Sequence, residues 1–345
     1  MRYDSNRDYT LDLACGILII RMVLRHVLQW SQVTHYDIYE WLNIFFYIMP
    51  WFYFKSGMFY KDQPTRVVCK KGWNHLIKPL LLLSLVGHVI ICIGYAVKGG
   101  HRLYDYLLEP FVELFTYGSI QGNLALWFLL SLFIVRCLYN ILSSRFRLNA
   151  IFILLTSLIV TLLIFHFEIH KPYYLANSLA GLFFFSAGRL LAKLQYNKWI
   201  MGLSAIIFLI HMIFLPSFVD MRVNKLIEGY YELWLIGSIA GCILLNGLCR
   251  MAFLYIPRLI NKIPRLHYLD FIPNFIITLG RNSLIIYLYH WLFLLTFSIC
   301  FYDLPYFNGH HRWMYFTLSS IFTAVGLFVI YKYKNSKIIK FLTCS

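Results

Sequence analysis

Long apolar stretches alternate with short polar loops along the whole chain. About ten of these stretches are long enough to cross the roughly 30 Å hydrocarbon core of a bilayer as a helix. They span residues 11–30, 41–59, 76–97, 124–142, 150–167, 175–194, 199–218, 231–254, 282–301 and 313–331. This pattern predicts an all-α polytopic integral membrane protein, a bundle of about ten transmembrane helices that forms one domain over residues 1–345, with no appended soluble domain.

Two segments depart from this simple alternation. Residues 99–123 are polar with Tyr, Phe and Leu interspersed, which predicts either an outer loop or a helix lying in the membrane interface. Pro50 interrupts the second apolar stretch. An interrupted helix at membrane depth usually lines a cavity or packs against neighbouring helices, so Pro50 is a modest pointer to function.

The composition supports the membrane assignment. Hydrophobic residues make up 60% of the 345 positions and charged residues only 13%, whereas about a quarter of a soluble domain is charged. Aromatic residues reach 19%, which is typical of chains whose rings lie at both membrane interfaces. No small-residue cleavage site follows the first apolar stretch, so we expect that stretch to be a retained helix and not a signal peptide.

The formal net charge of +16 raises the question of a nucleic-acid partner. The basic residues are spread through loops between apolar stretches and are not gathered in one domain, so we expect no nucleic acid. Most of them fall in alternate loops, and the positive-inside rule then places both termini in the cytoplasm. The loops predicted to face outward are those around Tyr36, Tyr106, Lys171, Arg222 and Asn308.

The first apolar stretch carries polar groups that are costly to expose to lipid, namely Asp12, Arg21, Arg25 and His26. Cys15 lies about three turns before His26, so the two residues share a helix face. A histidine that faces the interior of the bundle can deprotonate a hydroxyl, because its ordinary pKa is close to working pH. The alternative is a structural histidine bonded to a neighbouring helix. The eight cysteines have no disulfide-like or zinc-type spacing, so we predict no metal site.

Five blocks of sequence, in order, resemble the membrane acyltransferases called acyltransferase type 3, and in particular the branch that resembles fucose O-acetylases. They are LDLACGI running on to VLRH at 11–17 and 23–26, YIMPWFYFKSG at 47–57, LWFL at 126–129, FFFSAG at 183–188 and LGRNSLIIYLYH at 279–290. The resemblance implies a ten-helix bundle that passes an acyl group from a cytoplasmic donor, usually acetyl-CoA, to a hydroxyl of a saccharide.

The resemblance also assigns roles and shows departures. His26 occupies the position of the signature histidine of the family. Cys15 stands where the family usually has Arg or Lys, and Ile48 stands where it usually has a second histidine. Arg21 and Arg25 lie beside His26 and would compensate for the lost cation, so we assign His26, Arg25 and Arg21 as catalytic. Snorkelling of the two arginines to the membrane interface is the alternative, although Arg21 is deep in the stretch. A thioester on Cys15 is the less favoured alternative, since buried cysteines are mostly inert.

Donor binding is assigned to Cys15 and to residues after or near the end of the second apolar stretch. These are Lys55, Ser56, Lys70, Lys71 and Lys78. A cluster of lysines can hold the phosphates of an acyl-CoA, although plain positive-inside topology explains it equally well. Gly57, next to Ser56, permits a close approach of another backbone.

Acceptor binding is assigned to an outer loop and to two of the resembling blocks. The residues are Trp127, Asp220, Arg222, Asn282, Ser283, Tyr287 and His290. Polar groups and aromatic faces together suit a saccharide, whereas a solvated loop is the alternative for Asp220 and Arg222. Structural bonding is the alternative for His290.

The leading hypothesis is therefore an integral membrane O-acyltransferase, most simply an O-acetyltransferase, in the cytoplasmic (inner) membrane of a bacterium. Its partners would be membrane lipid, an acyl-CoA donor substrate and a cell-envelope polysaccharide or lipid-linked precursor, with no permanently bound cofactor. A glycan or lipid transporter or flippase is the second hypothesis. A catalytically impaired family member, or a membrane partner without chemistry, is a third. The sequence leaves the acyl group, the sugar and the oligomeric state open.

Overall fold

The computed structural model describes residues 8–31, 33, 42–98, 103–262, 271–301 and 312–343. The outward-facing loops predicted around Tyr36 and Asn308 lie outside the described residues. The helices are α1 (Tyr9–Trp30), α2 (Ile48–Met58), α3 (Thr65–Gly72), α4 (Lys78–Lys98), α5 (Leu103–Leu107), α6 (Glu109–Tyr117), α7 (Trp127–Asn140), α8 (Ala150–His166), α9 (Tyr173–Leu191), α10 (Lys198–Phe214), α11 (Tyr231–Lys262), α12 (Phe271–Arg281), α13 (Ser283–Phe301), α14 (Arg312–Lys332) and α15 (Lys337–Thr343). Strands β1 (Phe218–Asp220) and β2 (Lys225–Glu228) form an antiparallel hairpin.

The predicted all-α class is confirmed, since each predicted apolar stretch coincides with a helix or with most of one. In the described part of the chain, five helical segments are long and apolar enough to cross a membrane: Thr65–Val97, Glu109–Arg145, Tyr231–Tyr255, Ser283–Phe301 and Arg312–Lys332. Helices α8 and α10 are apolar but shorter. The protein is thus a helical membrane protein, while the count of ten spans stays a prediction.

Helix α1 lies inside the bundle, which explains how it can carry so many polar groups. It begins at Asp8, whose carboxylate accepts from the backbone N–H of Thr10 at 3.0 Å and so caps the first turn. Asp12 and Arg21 are buried, and α1 packs against α11, α12 and α13. Its polar side chains therefore face protein and not lipid.

Glycines set the closest helix contacts in the bundle. A side chain at Gly16 of α1 would clash with the carbonyl oxygen of Ile276, and one at Gly280 of α12 would clash with that of Asp12. The predicted close approach at Gly57 is confirmed, because a side chain there would clash with the carbonyl oxygen of Phe185 in α9. These contacts hold α1 against α12, and α2 against α9, with almost no space between backbones.

The predicted break near Pro50 is also present. A 3-10 turn over Leu42–Phe45 is followed by two non-helical residues, and α2 starts at Ile48 with Pro50 in its first turn. Proline is tolerated there because the first backbone N–H groups of a helix have no partner within it. The break brings the Leu42–Phe45 turn beside the second half of α1, where Arg21 donates to the backbone oxygen of Leu42.

Four elements were not anticipated from the apolar pattern: the short helices α3, α12 and α15 and the β1–β2 hairpin. Residues 103–117 form the short helices α5 and α6 with exposed apolar side chains such as Phe111 and Phe115, which fits the interfacial alternative for this segment. The hairpin is tied to α9, where the amide of Asn177 donates to the backbone oxygen of Arg222 at 2.8 Å.

The bundle has two ends that are distinguished by their contacts. One, here called the cavity end, carries the C-terminal part of α1, the Leu42–Phe45 turn, a second 3-10 turn over Gln121–Leu126, and the hairpin. The other is called the Asp8 end. Its side-chain hydrogen bonds link Tyr196 to Asp8 at 3.2 Å, Asn140 to Tyr60 at 2.8 Å and Lys334 to Asn282 at 3.2 Å.

Candidate active site

A cavity of about 470 Å³ lies at the cavity end and is lined in part by His26; we call it the His26 cavity. Its walls come from α1, the two 3-10 turns, the first turn of α2, the hairpin and α13. Seven of the predicted site residues lie in its lining: Arg21, Arg25, His26, Trp127, Asp220, Arg222 and Tyr287. Residues far apart in the sequence therefore meet in one space, as expected of a site at the centre of a bundle.

His26 is half-buried in the wall, and its ring is held on three sides. Its Nδ1–H donates to Oε1 of Gln29 at 3.3 Å, which leaves Nε2 with the lone pair. The ring stacks on that of His290 with centroids 5.3 Å apart, and the ring of Trp291 meets it edge-on at 5.2 Å. These contacts fix the plane of the imidazole, which a general base requires.

His290 is fully buried behind His26. Its Nδ1–H donates to the backbone oxygens of Ile286 and Tyr287, at 3.1 and 2.9 Å, so its Nε2 is the nitrogen with the lone pair. That Nε2 is buried and has no hydrogen-bond partner among the described residues. The structural alternative for His290 accounts for the bonds of Nδ1, whereas Nε2 is buried without a partner among the described residues and does not reach the cavity lining.

Arg21 and Arg25 bring positive charge to the same wall. Arg21 donates from Nε and Nη2 to the backbone oxygen of Leu42, at 3.0 and 2.9 Å. Arg25 donates from Nη1 to Oδ1 of Asn43 at 3.0 Å. Both guanidinium groups therefore line the cavity and also fasten the turn that precedes α2, which means that a charge role and an anchoring role must be separated by experiment.

The remaining lining residues form an aromatic and a polar wall. Trp127 is buried, and the hydroxyl of Tyr287 donates to the backbone oxygen of Ala125 in the turn before it. In the hairpin, Asp220 is exposed and accepts from the backbone N–H of Arg222 at 3.0 Å. The guanidinium of Arg222 lies 5.0 Å from the ring of Tyr117. Aromatic rings and carboxylates in the lining of one cavity suit a saccharide.

Three predicted acceptor residues do not line the cavity. His290 lies behind His26, and Asn282 and Ser283 lie at the other end of the bundle. Asn282 donates to the backbone oxygen of Thr278 at 2.7 Å and accepts from Nζ of Lys334 at 3.2 Å, at the Asp8 end. Ser283 follows it at the start of α13. The bonds of Asn282 fit a role in joining the end of α12 to the segment after α14.

The predicted donor residues also lie away from the His26 cavity. Cys15 is buried with 1% of its surface exposed and is absent from the lining, so its thiol packs in the core. Lys55 is seven residues after Ile48, about 10 Å further along α2, and lies over the ring of Trp51 at 5.1 Å. The other donor residues follow at that end: Ser56 is half-buried, and Lys70, Lys71 and Lys78 are exposed. Their role in donor binding stays a prediction.

Sequence reasoning missed Gln29, Asn43 and Trp291, which hold His26 and Arg25 in place. Gln29 could have been predicted from the sequence, because it lies three residues after His26 on the same helix. Asn43 and Trp291 come from other elements, and no spacing in the sequence connects them with α1.

A family model described as an acyltransferase domain, Acyl_transf_3, matches residues 8–332. No curated protein and no solved structure matches the chain. The matched range covers every described residue that lines the His26 cavity. It confirms the family that the sequence blocks predicted, while the fucose O-acetylase-like branch stays a prediction.

Proposed function

The chain belongs to the type 3 membrane acyltransferase family, and from that premise we propose that it moves an acyl group from an acyl-CoA to a hydroxyl of a saccharide. The acceptor we propose is a cell-envelope polysaccharide or its lipid-linked precursor, and the membrane is the inner membrane of a bacterium. Acetyl-CoA is the simplest donor of this class.

The observation that carries the proposal is the position of His26. An imidazole held between Gln29, His290 and Trp291 lines a cavity that also contains two arginines and a polar hairpin. A transport route would need no oriented base, whereas acyl transfer needs a base, a cation and a saccharide-sized space together.

The reaction follows from this arrangement. Nε2 of His26 takes the proton from the acceptor hydroxyl as its oxygen attacks the thioester carbonyl. The oxyanion that forms is stabilised by the guanidinium groups of Arg25 and Arg21. The new C–O bond remains when the C–S bond breaks, and the thiolate of CoA takes the proton back from His26. The free thiol and the ester are the products, and the histidine returns to its neutral state.

In the predicted orientation the lysines face the cytoplasm, so a cytoplasmic donor reaches His26 from the face that holds them. The adenine nucleotide of acyl-CoA would bind near Lys70, Lys71 and Lys78, which lie at the Asp8 end, while its flexible arm reaches into the bundle. We propose Lys55, Ser56 and this cluster as the donor entry.

The test is His26→Ala, with membranes of the native host as the source of acceptor and radiolabelled acetyl-CoA as donor. We expect label transfer to the glycan fraction to fall at least 100-fold, because removal of a general base typically costs 10²- to 10⁴-fold in rate. His166→Ala is the matched control, since His166 is an exposed histidine at the end of α8, outside the cavity lining.

Protein abundance and the elution profile in detergent should match for both variants. Normal transfer by His26→Ala would exclude His26 as the base. Equal loss in His26→Ala and His166→Ala would show that the assay reports protein quality and not chemistry.

A further inference from the structure

A second cavity adjoins the His26 cavity and differs from it in character. It has a volume of about 200 Å³ and lies between the ends of α1 and α4, the Gln121–Leu126 turn and α13. Ile91, Leu295 and Ile299 give it an apolar lining, and Gly94 forms part of its wall. We call this space the Gly94 cavity.

The two cavities share the side chains of Leu124 and Trp291. Trp291 packs edge-on against His26 at 5.2 Å on one side and against Trp30 at 5.5 Å on the other. The apolar space therefore begins one side chain away from the proposed base. When the carbonyl carbon of an acyl donor is attacked beside His26, the acyl chain attached to that carbon can reach the Gly94 cavity.

The lining of the Gly94 cavity selects the chemistry of its occupant. Of its polar side chains, Tyr95 donates its hydroxyl to Oε1 of Gln121 at 3.1 Å, which occupies that donor and that acceptor. A saccharide placed here would leave hydroxyls without partners, which is costly in an apolar space. A hydrocarbon chain has no such requirement. The indole N–H of Trp291 is buried and has no hydrogen-bond partner among the described residues, so the residue that both cavities share adds no satisfied polar contact to this lining.

The size of the cavity points to a chain longer than the methyl group of acetate. An apolar protein cavity of roughly 150 Å³ is large enough to hold benzene, which has six carbons. The Gly94 cavity, at about 200 Å³, is at least as large. We propose that it binds the hydrocarbon chain of the transferred acyl group, and that the enzyme prefers acyl groups of about six carbons to acetyl. This inference rests on the proposed function and names its donor class.

A substitution at Gly94 would change the length of the acyl chain that the cavity can accept. A Cβ atom at this position would lie 3.1 Å from Cδ1 of Ile299, so a larger side chain would occupy the space between α4 and α13. Gly94→Val should shorten the cavity and Ile299→Ala should lengthen it. Gly202→Val is the matched control, because a Cβ at Gly202 meets nothing within 4 Å.

The experiment measures transfer of radiolabelled acetyl, hexanoyl and octanoyl groups from their CoA thioesters in host membranes. We expect the wild type to have a higher kcat/KM with hexanoyl-CoA than with acetyl-CoA. Each buried methylene is worth roughly fourfold in affinity, so Gly94→Val should lower the hexanoyl-to-acetyl ratio at least tenfold. Ile299→Ala should raise the octanoyl-to-hexanoyl ratio, and Gly202→Val should leave the ratios at their wild-type values.

Three results would contradict either the inference about the acyl chain or the proposed function. A wild type that prefers acetyl-CoA would overturn the inference and leave the proposed function intact. Equal slowing of all donors by Gly94→Val, with unchanged ratios in Ile299→Ala, would overturn it as well and would assign the cavity to the lipid tail of the acceptor or to membrane lipid. No transfer from any donor would instead refute the proposed function.

Discussion

Arg25 and Cys15 lie on the same helix, but their surroundings separate them. Arg25 lines the His26 cavity and donates to Asn43, whereas Cys15 packs in the core with 1% of its surface exposed. One well-placed cation or donor at an oxyanion is worth roughly 3 to 4 kcal/mol, which corresponds to 100-fold or more in rate. We expect Arg25→Ala to cost at least about 100-fold in acyl transfer and Cys15→Ala less than about tenfold, measured on purified protein in lipid.

The Asn43→Ala variant distinguishes a role of the Arg25 charge from a role of Arg25 in anchoring the Leu42–Phe45 turn. It removes the hydrogen bond from Arg25 to Asn43 but keeps the guanidinium group, so a catalytic role for the charge predicts that most of the activity survives. If Asn43→Ala is as damaging as Arg25→Ala, the arginine acts by fastening the Leu42–Phe45 turn. A dead Cys15→Ala beside a healthy Arg25→Ala would reverse the assignment, and a thioester on Cys15 should then be sought by mass spectrometry.

At the scale of helices and strands, the contact between α1 and α12 leaves no space for an added side chain at Gly280. A side chain at Gly280 would clash with the backbone oxygen of Asp12, and backbone cannot move aside cheaply. We expect Gly280→Ala to lower stability by roughly 1 to 3 kcal/mol, seen as a lower thermal midpoint in detergent. Acyl transfer should fall with it, since α1 carries His26.

Gly202→Ala is the matched control for this contact, because the new Cβ meets nothing within 4 Å. It should be neutral or should stabilise the helix by up to about 1 kcal/mol, since alanine is the better helix former. Destabilisation of the same size at both positions would show that the effect belongs to any added methyl group and not to the contact.

The long helices could be predicted from the sequence because about twenty predominantly apolar residues have few other solutions in a bilayer. The hairpin could not, since Phe218–Asp220 and Lys225–Glu228 are short, polar and held by long-range partners such as Asn177. The same limit applies to the site. His26 and its arginines share one helix and were found together, whereas Asn43 and Trp291 reach them only through packing that local sequence does not encode.

At the scale of the whole molecule, charge divides the bundle into two unlike ends. Acidic side chains gather near the cavity end, in Asp105, Glu109, Glu113, Glu168, Asp220, Glu228 and Glu232. Most lysines and arginines of the described residues lie toward the Asp8 end. Because basic loops stay in the cytoplasm, this asymmetry predicts that the His26 cavity is at the outer side and that the lysine cluster faces the cytoplasm.

Single cysteines in a variant without native thiols would test this orientation. Lys171 and Lys225 are exposed at the cavity end, and Lys61 and Lys198 are exposed at the Asp8 end. A membrane-impermeant maleimide on intact cells should label cysteines at 171 and 225, and should reach 61 and 198 only after the membrane is opened. The reverse pattern would place His26 on the cytoplasmic side. The donor would then meet the base directly from the cytoplasm, and the lysine cluster at the Asp8 end would have no part in binding it.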